Sequence, residues 1–215
     1  MIKFKGFTLT ELMVALAVIG IIVAVVTPAI MRTRPNKNKM MIKKAYYTTE
    51  NIVSNLINDT SLYADMRDVC ISGNEDVANG IYCAYGFDWD EEVTYNGVKF
   101  SGNNKFQRLF AEQLNVSKEI ESDSKKFMTT DGIVWDFSDI QEHGWAAGTA
   151  PSENVRTLSI DVNGDEGPDC YQADCTNPED FDKFRIDIQS NGKMKVNDAD
   201  TLAAGYVTIN ASVTK

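Results

Sequence analysis

The longest apolar stretch of the chain runs from Phe7 to Ile30 and contains one charged residue, Glu11. At about 1.5 Å of rise per residue, a helix of this length spans about 36 Å, which exceeds the ~30 Å hydrocarbon core of a bilayer. A secretory signal peptide has a shorter apolar core followed by a cleavage site of small residues, and no clear site of that kind follows Ile30. The pattern therefore predicts a transmembrane helix over residues 7–30, preceded by a short basic segment, residues 1–6.

A second helical pattern follows the apolar stretch. Apolar positions recur at three- and four-residue steps from Met41 to Ile57, which is typical of a helix with one buried face. We therefore expect residues 31–60 to form an amphipathic continuation of the first helix. Pro28 and Pro35 lie between the two parts, and because each removes a backbone hydrogen bond, a kink or local melting is expected there.

The remainder of the chain divides at about residue 132. Residues 61–131 contain frequent glycines and predict a variable loop region with one short helix over residues 106–114. From residue 132 to 215 the period shifts towards two, and the Asn191-Gly192 pair is a hairpin signal. Strands are predicted at residues 132–137, 155–162, 183–189, 193–196 and 206–213. The prediction is an α+β fold, in which the long N-terminal helix packs on a C-terminal antiparallel β-sheet.

Charge also divides the chain, at about residue 44. The protein has 215 residues and a net charge of −10. Residues 1–44 carry eight Lys or Arg and one acidic residue, and residues 45–215 carry thirteen Lys or Arg and thirty acidic residues. This balance argues against nucleic-acid binding, which needs basic surface to replace counterions, so no nucleic-acid partner is expected.

The four cysteines form two local pairs along the chain, Cys70 with Cys83 and Cys170 with Cys175. Neither spacing is CxxC, and the single histidine, His143, makes a zinc site improbable. An even number of cysteines in local pairs suits two disulfides in an oxidising compartment, although crossed connectivities stay possible.

Catalytic chemistry has little support in the sequence. His143 has no nucleophile motif beside it and is expected in a surface loop, and no glycine-rich phosphate loop follows a strand. Trp89, Trp135 and Trp145 are expected to serve packing, with an adhesive patch as the alternative. We therefore expect a protein that is not an enzyme and has no catalytic residues.

Glu11 is the unusual residue of the apolar stretch. A carboxylate within a membrane helix costs about 2.5–3.5 kcal/mol on insertion scales and normally marks function. No Lys or Arg lies between Phe7 and Ile30 to neutralise it. Cleavage after Gly6 would supply a cation, because it would create a new α-amino group on Phe7, four residues from Glu11.

The segment Gly6-Phe7-Thr8-Leu9-Thr10-Glu11 resembles the processing site of type IV pilins and type II secretion pseudopilins. In that family a basic leader ends in Gly, the mature chain begins with Phe, and Glu is the fifth mature residue. Gly20 and Pro28 also lie where such proteins often carry helix-softening residues. The resemblance implies that residues 1–6 are a leader, removed by a prepilin peptidase between Gly6 and Phe7, and that Phe7 is N-methylated.

The same resemblance implies assembly. Glu11, Phe7 and Pro28 would serve the assembly helix, and the partners would be homologous pilin subunits in a helical filament, the inner membrane and an assembly platform protein. The implied precursor is a single-pass inner-membrane protein whose head lies in the periplasm or outside. Lys and Arg residues after the apolar stretch outnumber those before it, which alone would favour the opposite orientation. The cytoplasmic peptidase and the cysteine pairs favour an external head.

The segment DVNGDEGPD, residues 161–169, is the second candidate site. Oxygen ligands at alternate positions of a tight turn suit Ca²⁺, although the segment lacks the glycine and final glutamate of an EF-hand. It resembles the calcium loop of several pseudopilins and minor pilins. The expected ligands are Asp161, Asn163, Asp165 and Asp169. Possible further ligands are Asp174, Asp180 and Asp182. The alternative is an acidic turn without metal.

Two functions stay open on the sequence. The favoured one is a structural subunit of a type IV pilus-like or type II secretion filament. The alternative is a membrane-anchored, calcium-binding surface module or adhesin that does not polymerise.

Overall fold

The computed structural model of the protein describes residues 9–32, 37–58, 93–117, 124–145, 150–164 and 166–208. In the first range, side chains are described for residues 9–24. The chain divides into two compact units, Met1–Asn36 and Lys37–Lys215. The predicted interruption at Pro35 lies outside the described residues.

The described part of the first unit is one helix, α1 (Leu9–Arg32), which is continuous through Pro28. Its described large apolar side chains are half or more exposed, from 50% at Val18 to 75% at Leu9. Among the residues that the structure describes, no helix is both long enough and apolar enough to cross a membrane. The transmembrane assignment of residues 7–30 stays a prediction.

The second unit begins with helix α2 (Lys37–Asn58), which carries the predicted buried stripe. The fully buried positions of α2 recur at helical spacing and join the single hydrophobic core of the unit. They are Ile42, Ala45, Thr49, Ile52, Val53 and Leu56.

The core of the second unit is completed by a five-stranded antiparallel sheet in sequential order, β3-β4-β5-β6-β7. Its strands are β3 (Lys126–Met128), β4 (Val134–Asp136), β5 (Val155–Asp161), β6 (Lys183–Gln189) and β7 (Met194–Val196). Alternation along β6 places Phe184, Ile186 and Ile188 in the core and charged residues on the opposite face. The predicted strands at 132–137, 155–162, 183–189 and 193–196 are thus confirmed within a residue or two at each end.

The C-terminal end and the start of the sheet differ from the sequence prediction. The strand predicted at 206–213 is wrong over residues 206–208, because helix α5 (Thr201–Thr208) occupies them and packs against α2. Tyr47 donates its hydroxyl to the Val207 carbonyl at 3.1 Å across this contact. The sheet also begins at Lys126, six residues before the predicted boundary, since β3 pairs with β4.

The region predicted as variable loop contains a hairpin and a helix. Strands β1 (Val93–Tyr95) and β2 (Val98–Phe100) join through Asn96 and Gly97, both with positive φ. Helix α3 (Lys105–Glu112) confirms the short helix. Residues 59–92 lie outside the described residues, and the predictions made for Trp89, Cys70 and Cys83 lie there with them.

An aromatic cluster links α3 to the sheet. Trp135 and Trp145 are 1% and 0% exposed, which confirms their packing role. The Phe106 ring meets Trp145 edge-on at 5.2 Å between centroids, and Phe110 lies 5.3 Å from Trp135. His143 ends the short helix α4 (Ser138–His143) and is exposed, so it lies on the surface as predicted but in a helix rather than a loop.

Candidate functional site

Glu11 lies in the first turn of α1, on a helix whose other described side chains, apart from Gly20, are apolar or threonine. Residues 1–8, which include Gly6 and Phe7, lie outside the described residues. A carboxylate near a helix N-terminus is favoured by the helix dipole. The described part of the chain therefore places the carboxylate of Glu11 at the start of an exposed apolar helix.

The acidic segment begins at the end of β5. Asp161 is the last residue of that strand, and its Oδ1 accepts backbone N–H bonds from Asn163 at 3.2 Å and Gly164 at 2.9 Å. These bonds turn the chain sharply after the strand, as short acidic side chains commonly do. Gly164 has φ +58°, and a Cβ there would lie 2.9 Å from the Gly132 carbonyl oxygen. The segment consequently turns against the β3–β4 connection.

Asp182 fastens the other end of the segment. This residue is fully buried, and its two carboxylate oxygens accept the backbone N–H groups of Asp169 and Cys170, each at 2.9 Å. Its carboxylate therefore braces the backbone, and the structure does not present it as a free metal ligand.

A disulfide joins Cys170 to Cys175 and confirms one of the two predicted pairs. Its short ring also contains Tyr171, which forms a parallel bridge to Lys183 on β6, and the Arg185 guanidinium lies 4.4 Å from the Tyr171 ring centroid. The ring is thus tied to β6 at two neighbouring positions.

The other predicted disulfide, between Cys70 and Cys83, is not tested by the structure. Both Cys70 and Cys83 lie outside the described residues, in the range 59–92. The bond between Cys170 and Cys175 removes those two cysteines from any crossed connectivity. The pairing of Cys70 with Cys83 therefore stays a prediction.

The ammonium of Lys183 lies between two of the predicted ligands. Its Nζ is 3.2 Å from Asp169 Oδ1 and 3.6 Å from Asp161 Oδ2. The hydrogen bond and charge of Lys183 lower the pKa of Asp169. Burial raises the pKa of Asp161 against the effect of its backbone N–H donors and of Lys183. Burial also opposes the charge on Lys183, yet the neighbouring carboxylates raise its pKa overall.

The described oxygen atoms do not by themselves form a complete calcium shell. Ca²⁺ takes six to eight oxygen ligands at about 2.3–2.6 Å, whereas Asp161 and Asp169 direct oxygens at an ammonium. Asn163 Oδ1 is buried without a hydrogen-bond partner among the described residues, but Asp165 lies outside them. Asp174 lines a cleft together with Asp161, Asp169 and Lys183, and Asp180 lies in the short 3-10 turn Pro178–Asp180. No group of three or more described His, Cys, Asp or Glu side chains is arranged to hold a metal.

Three of the basic residues that follow the apolar stretch contact acidic or aromatic groups of the second unit. Lys37 Nζ lies 3.0 Å from Glu166 Oε2, and Lys44 Nζ lies 2.7 Å from Asp131 Oδ2. Lys39 Nζ sits 4.7 Å from the ring centroid of Tyr206. Acidic and aromatic groups of the folded unit thus compensate part of the positive charge that follows the apolar stretch.

Sequence reasoning missed the roles of Lys183 and Asp182. The only signal for either was alternation along residues 183–189, which places Lys183 on the polar face of its strand. Its meeting with Asp161 depends on strand pairing over more than twenty residues, and no local pattern encodes that pairing. The brace by Asp182 likewise requires the loop to fold back on β6.

Comparison with known proteins adds one finding at the N-terminus. No curated protein and no solved structure matches the chain. Residues 1–27 match the family model described as the prokaryotic N-terminal methylation motif. The matched range contains Gly6, Phe7 and Glu11. This chain therefore carries the N-terminal signature of type IV pilins and pseudopilins.

Proposed function

We propose that the protein is a structural subunit, a pilin or pseudopilin, of a type IV pilus-like or type II secretion filament. The observation that carries this proposal is the methylation motif at residues 1–27, which overlaps a 24-residue apolar helix, α1. Large apolar side chains such as Leu9 and Ile21 are 75% and 66% exposed on this helix. Contiguous exposed apolar surface of this kind marks a contact with membrane or with other chains.

In this proposal a prepilin peptidase cleaves between Gly6 and Phe7, and the new amino group is methylated. The precursor is held in the inner membrane by residues 7–30. Its periplasmic or external head is the second unit, which has a hydrophobic core of its own and a disulfide suited to an oxidising compartment.

In this proposal the protein acts by assembling with other subunits. The apolar helices of many subunits pack together, with the assembly platform protein as a further partner, and Glu11 of one subunit neutralises the Phe7 amine of another. An isolated charge in an apolar interior is strongly unfavourable, whereas a pair offsets much of that penalty. Pairing of this kind favours one axial register between neighbouring subunits. The role is structural, in keeping with the motif.

The mature N-terminus tests the proposal. We expect mass spectrometry of the chain isolated from membranes to show loss of residues 1–6 and one methyl group on Phe7. Gly6→Ala should leave the full-length chain, because a side chain at the cleavage point crowds the peptidase beside Phe7. Gly20→Ala is a matched control, since a Cβ at Gly20 meets no atom within 4 Å in the described structure.

An intact Met1 on the wild-type chain would contradict the proposal and favour the membrane-anchored surface module that does not polymerise. Efficient removal of residues 1–6 from Gly6→Ala would contradict the assigned cleavage point. Electron microscopy of sheared or membrane-associated material then checks for filaments.

A further inference from the structure

We propose that Lys183 is the built-in counter-ion of Asp161 and Asp169, where its ammonium takes the place of a metal ion. It follows that the stability of the second unit does not depend on calcium. This inference is independent of the proposed role in assembly.

The position of the Lys183 ammonium is fixed by the sheet. Lys183 is the first residue of β6 and pairs in register with Asp161, the last residue of β5. Directly opposed residues of an antiparallel pair project from the same face with their Cβ atoms about 4.5–5.5 Å apart. The ammonium therefore lies 3.6 Å from Asp161 because of backbone pairing. The loop, in which the Asp169 N–H donates to Asp182, brings Asp169 to 3.2 Å from the same ammonium.

The ammonium also lies where the segment closes on the sheet. Asp161 begins the acidic segment, and Asp169 comes directly before the disulfide ring. One cation that contacts both carboxylates joins the two ends of the turn and relieves their mutual repulsion. Their side chains are 11% and 54% exposed and that of Lys183 is 28% exposed, so water screens Asp169 more than the other two groups.

Three other carboxylate oxygens of the region accept backbone N–H groups. Asp161 Oδ1 accepts two N–H bonds, and both oxygens of Asp182 accept one each. A calcium ion contacting Asp161 Oδ2 and Asp169 Oδ1 would need the space beside the Lys183 ammonium and would be repelled by it. Lys183 and a calcium ion would therefore compete to neutralise the same two carboxylates.

The test uses the full-length chain in detergent, with tryptophan fluorescence as the signal because Trp135 and Trp145 are buried in the second unit. Thermal melts are recorded in millimolar calcium chloride and in chelator. We expect the wild-type midpoint to be the same in both. Lys183→Gln should lower the midpoint in chelator by about 2–4 °C, and Lys183→Arg, which keeps the positive charge, should lower it less.

Lys195→Gln is the matched control, because Lys195 lies on the neighbouring strand and forms an exposed ion pair with Asp198 at 2.7 Å. A wild-type midpoint that rises with calcium and returns with chelator would overturn the inference. A Lys183→Gln midpoint no lower than that of Lys195→Gln would also overturn it. If Lys183→Gln does not fold, the calcium response of the wild type and of Lys183→Arg still decides the question.

Discussion

Gly192 packs so closely against Ile57 that a Cβ atom added to the glycine would overlap Cδ1 of the isoleucine. Gly192 forms the turn between β6 and β7 with φ +80°, and Ile57 lies in the last turn of α2. The end of the amphipathic helix therefore rests directly on the backbone of a hairpin turn. A side chain at residue 192 would therefore have to displace the Ile57 side chain and would also adopt an unfavourable positive φ.

Gly192→Ala should destabilise the second unit more than Gly97→Ala. The two glycines have nearly equal φ values, +80° and +79°, but a Cβ on Gly97 meets no described atom within 4 Å. Both variants share backbone strain of about 1–2 kcal/mol, and Gly192→Ala adds overpacking of about 1–3 kcal/mol. Denaturant unfolding followed by tryptophan fluorescence measures the difference. Equal losses in the two variants would contradict the steric argument, and Ile57→Ala should partly rescue Gly192→Ala alone.

Asp200 should stabilise the contact between β6 and the start of α5. It is fully buried and accepts bonds from the Arg185 backbone N–H at 2.8 Å and from two guanidinium nitrogens at 3.0 Å. Asp200→Ala leaves the guanidinium without its main partner, and loss of a hydrogen bond to a charged group costs about 1.5–3 kcal/mol.

The control for this prediction is Asp198→Ala, because Asp198 is 86% exposed and pairs only with Lys195 among the described residues. Exposed pairs contribute about 0–1 kcal/mol. Urea unfolding should therefore show a clearly larger loss of unfolding free energy for Asp200→Ala than for Asp198→Ala. A similar small loss in the two would show that the buried pair contributes little to stability.

Acid should destabilise the second unit through Asp131 and Asp136. Burial raises the pKa of each, but hydrogen bonds from Lys44 and Thr129 at Asp131, and from Ser138 and Lys126 at Asp136, lower it overall. A folded-state pKa below the unfolded value stabilises the fold at higher pH, and this contribution disappears as pH falls through the folded-state pKa. The loss should therefore appear below the ordinary carboxyl value of 3.8.

Melting midpoints between pH 7 and pH 2.5 check this pH dependence. Asp131→Asn with Asp136→Asn should lower the midpoint at neutral pH and flatten the acid limb of the curve. An acid limb of unchanged steepness would assign the sensitivity to other carboxylates.

The fold was most predictable where a local pattern and a burial requirement agree. The stripe from Ile42 to Leu56 and the alternation along residues 183–189 each report one buried face, and both were confirmed. The β1–β2 hairpin was missed although Asn96-Gly97 between two short alternating runs is the same signal as Asn191-Gly192. At the Asn191-Gly192 turn, Gly192 has positive φ and Asn191 does not.

The incorrect prediction of a strand at residues 206–208 has a physical cause. Residues 206–208 combine aromatic and β-branched side chains that favour strands, but α5 begins five residues earlier and packs against α2. Tertiary contacts, such as the stacking of Tyr206 on Phe181 at 5.9 Å, outweigh intrinsic preference there. The same lesson applies to the acidic segment. Its carboxylates were evident in sequence, but the lysine that meets them comes from another strand.

Among the residues assigned to assembly, Glu11 gives the most direct test of the proposed function. Glu11→Ala should be cleaved and methylated normally, because the cleavage point between Gly6 and Phe7 is unchanged. Assembly should fail, since the Phe7 amine of a neighbouring subunit would enter an apolar environment without a carboxylate. Removal of one member of a buried ion pair costs about 3–5 kcal/mol, which corresponds to at least about a hundredfold loss in incorporation.

Thr10→Ala is the matched control for Glu11→Ala, because it alters the adjacent residue of the same helical turn without removing charge. Filament yield by electron microscopy, together with the mass of the processed chain, measures both steps. Glu11→Gln distinguishes charge from size: it should fail like Glu11→Ala if neutralisation of the amine is required. Normal filaments from Glu11→Gln would instead show that a neutral hydrogen-bond acceptor is sufficient, and normal filaments from Glu11→Ala would remove Glu11 from the assembly mechanism.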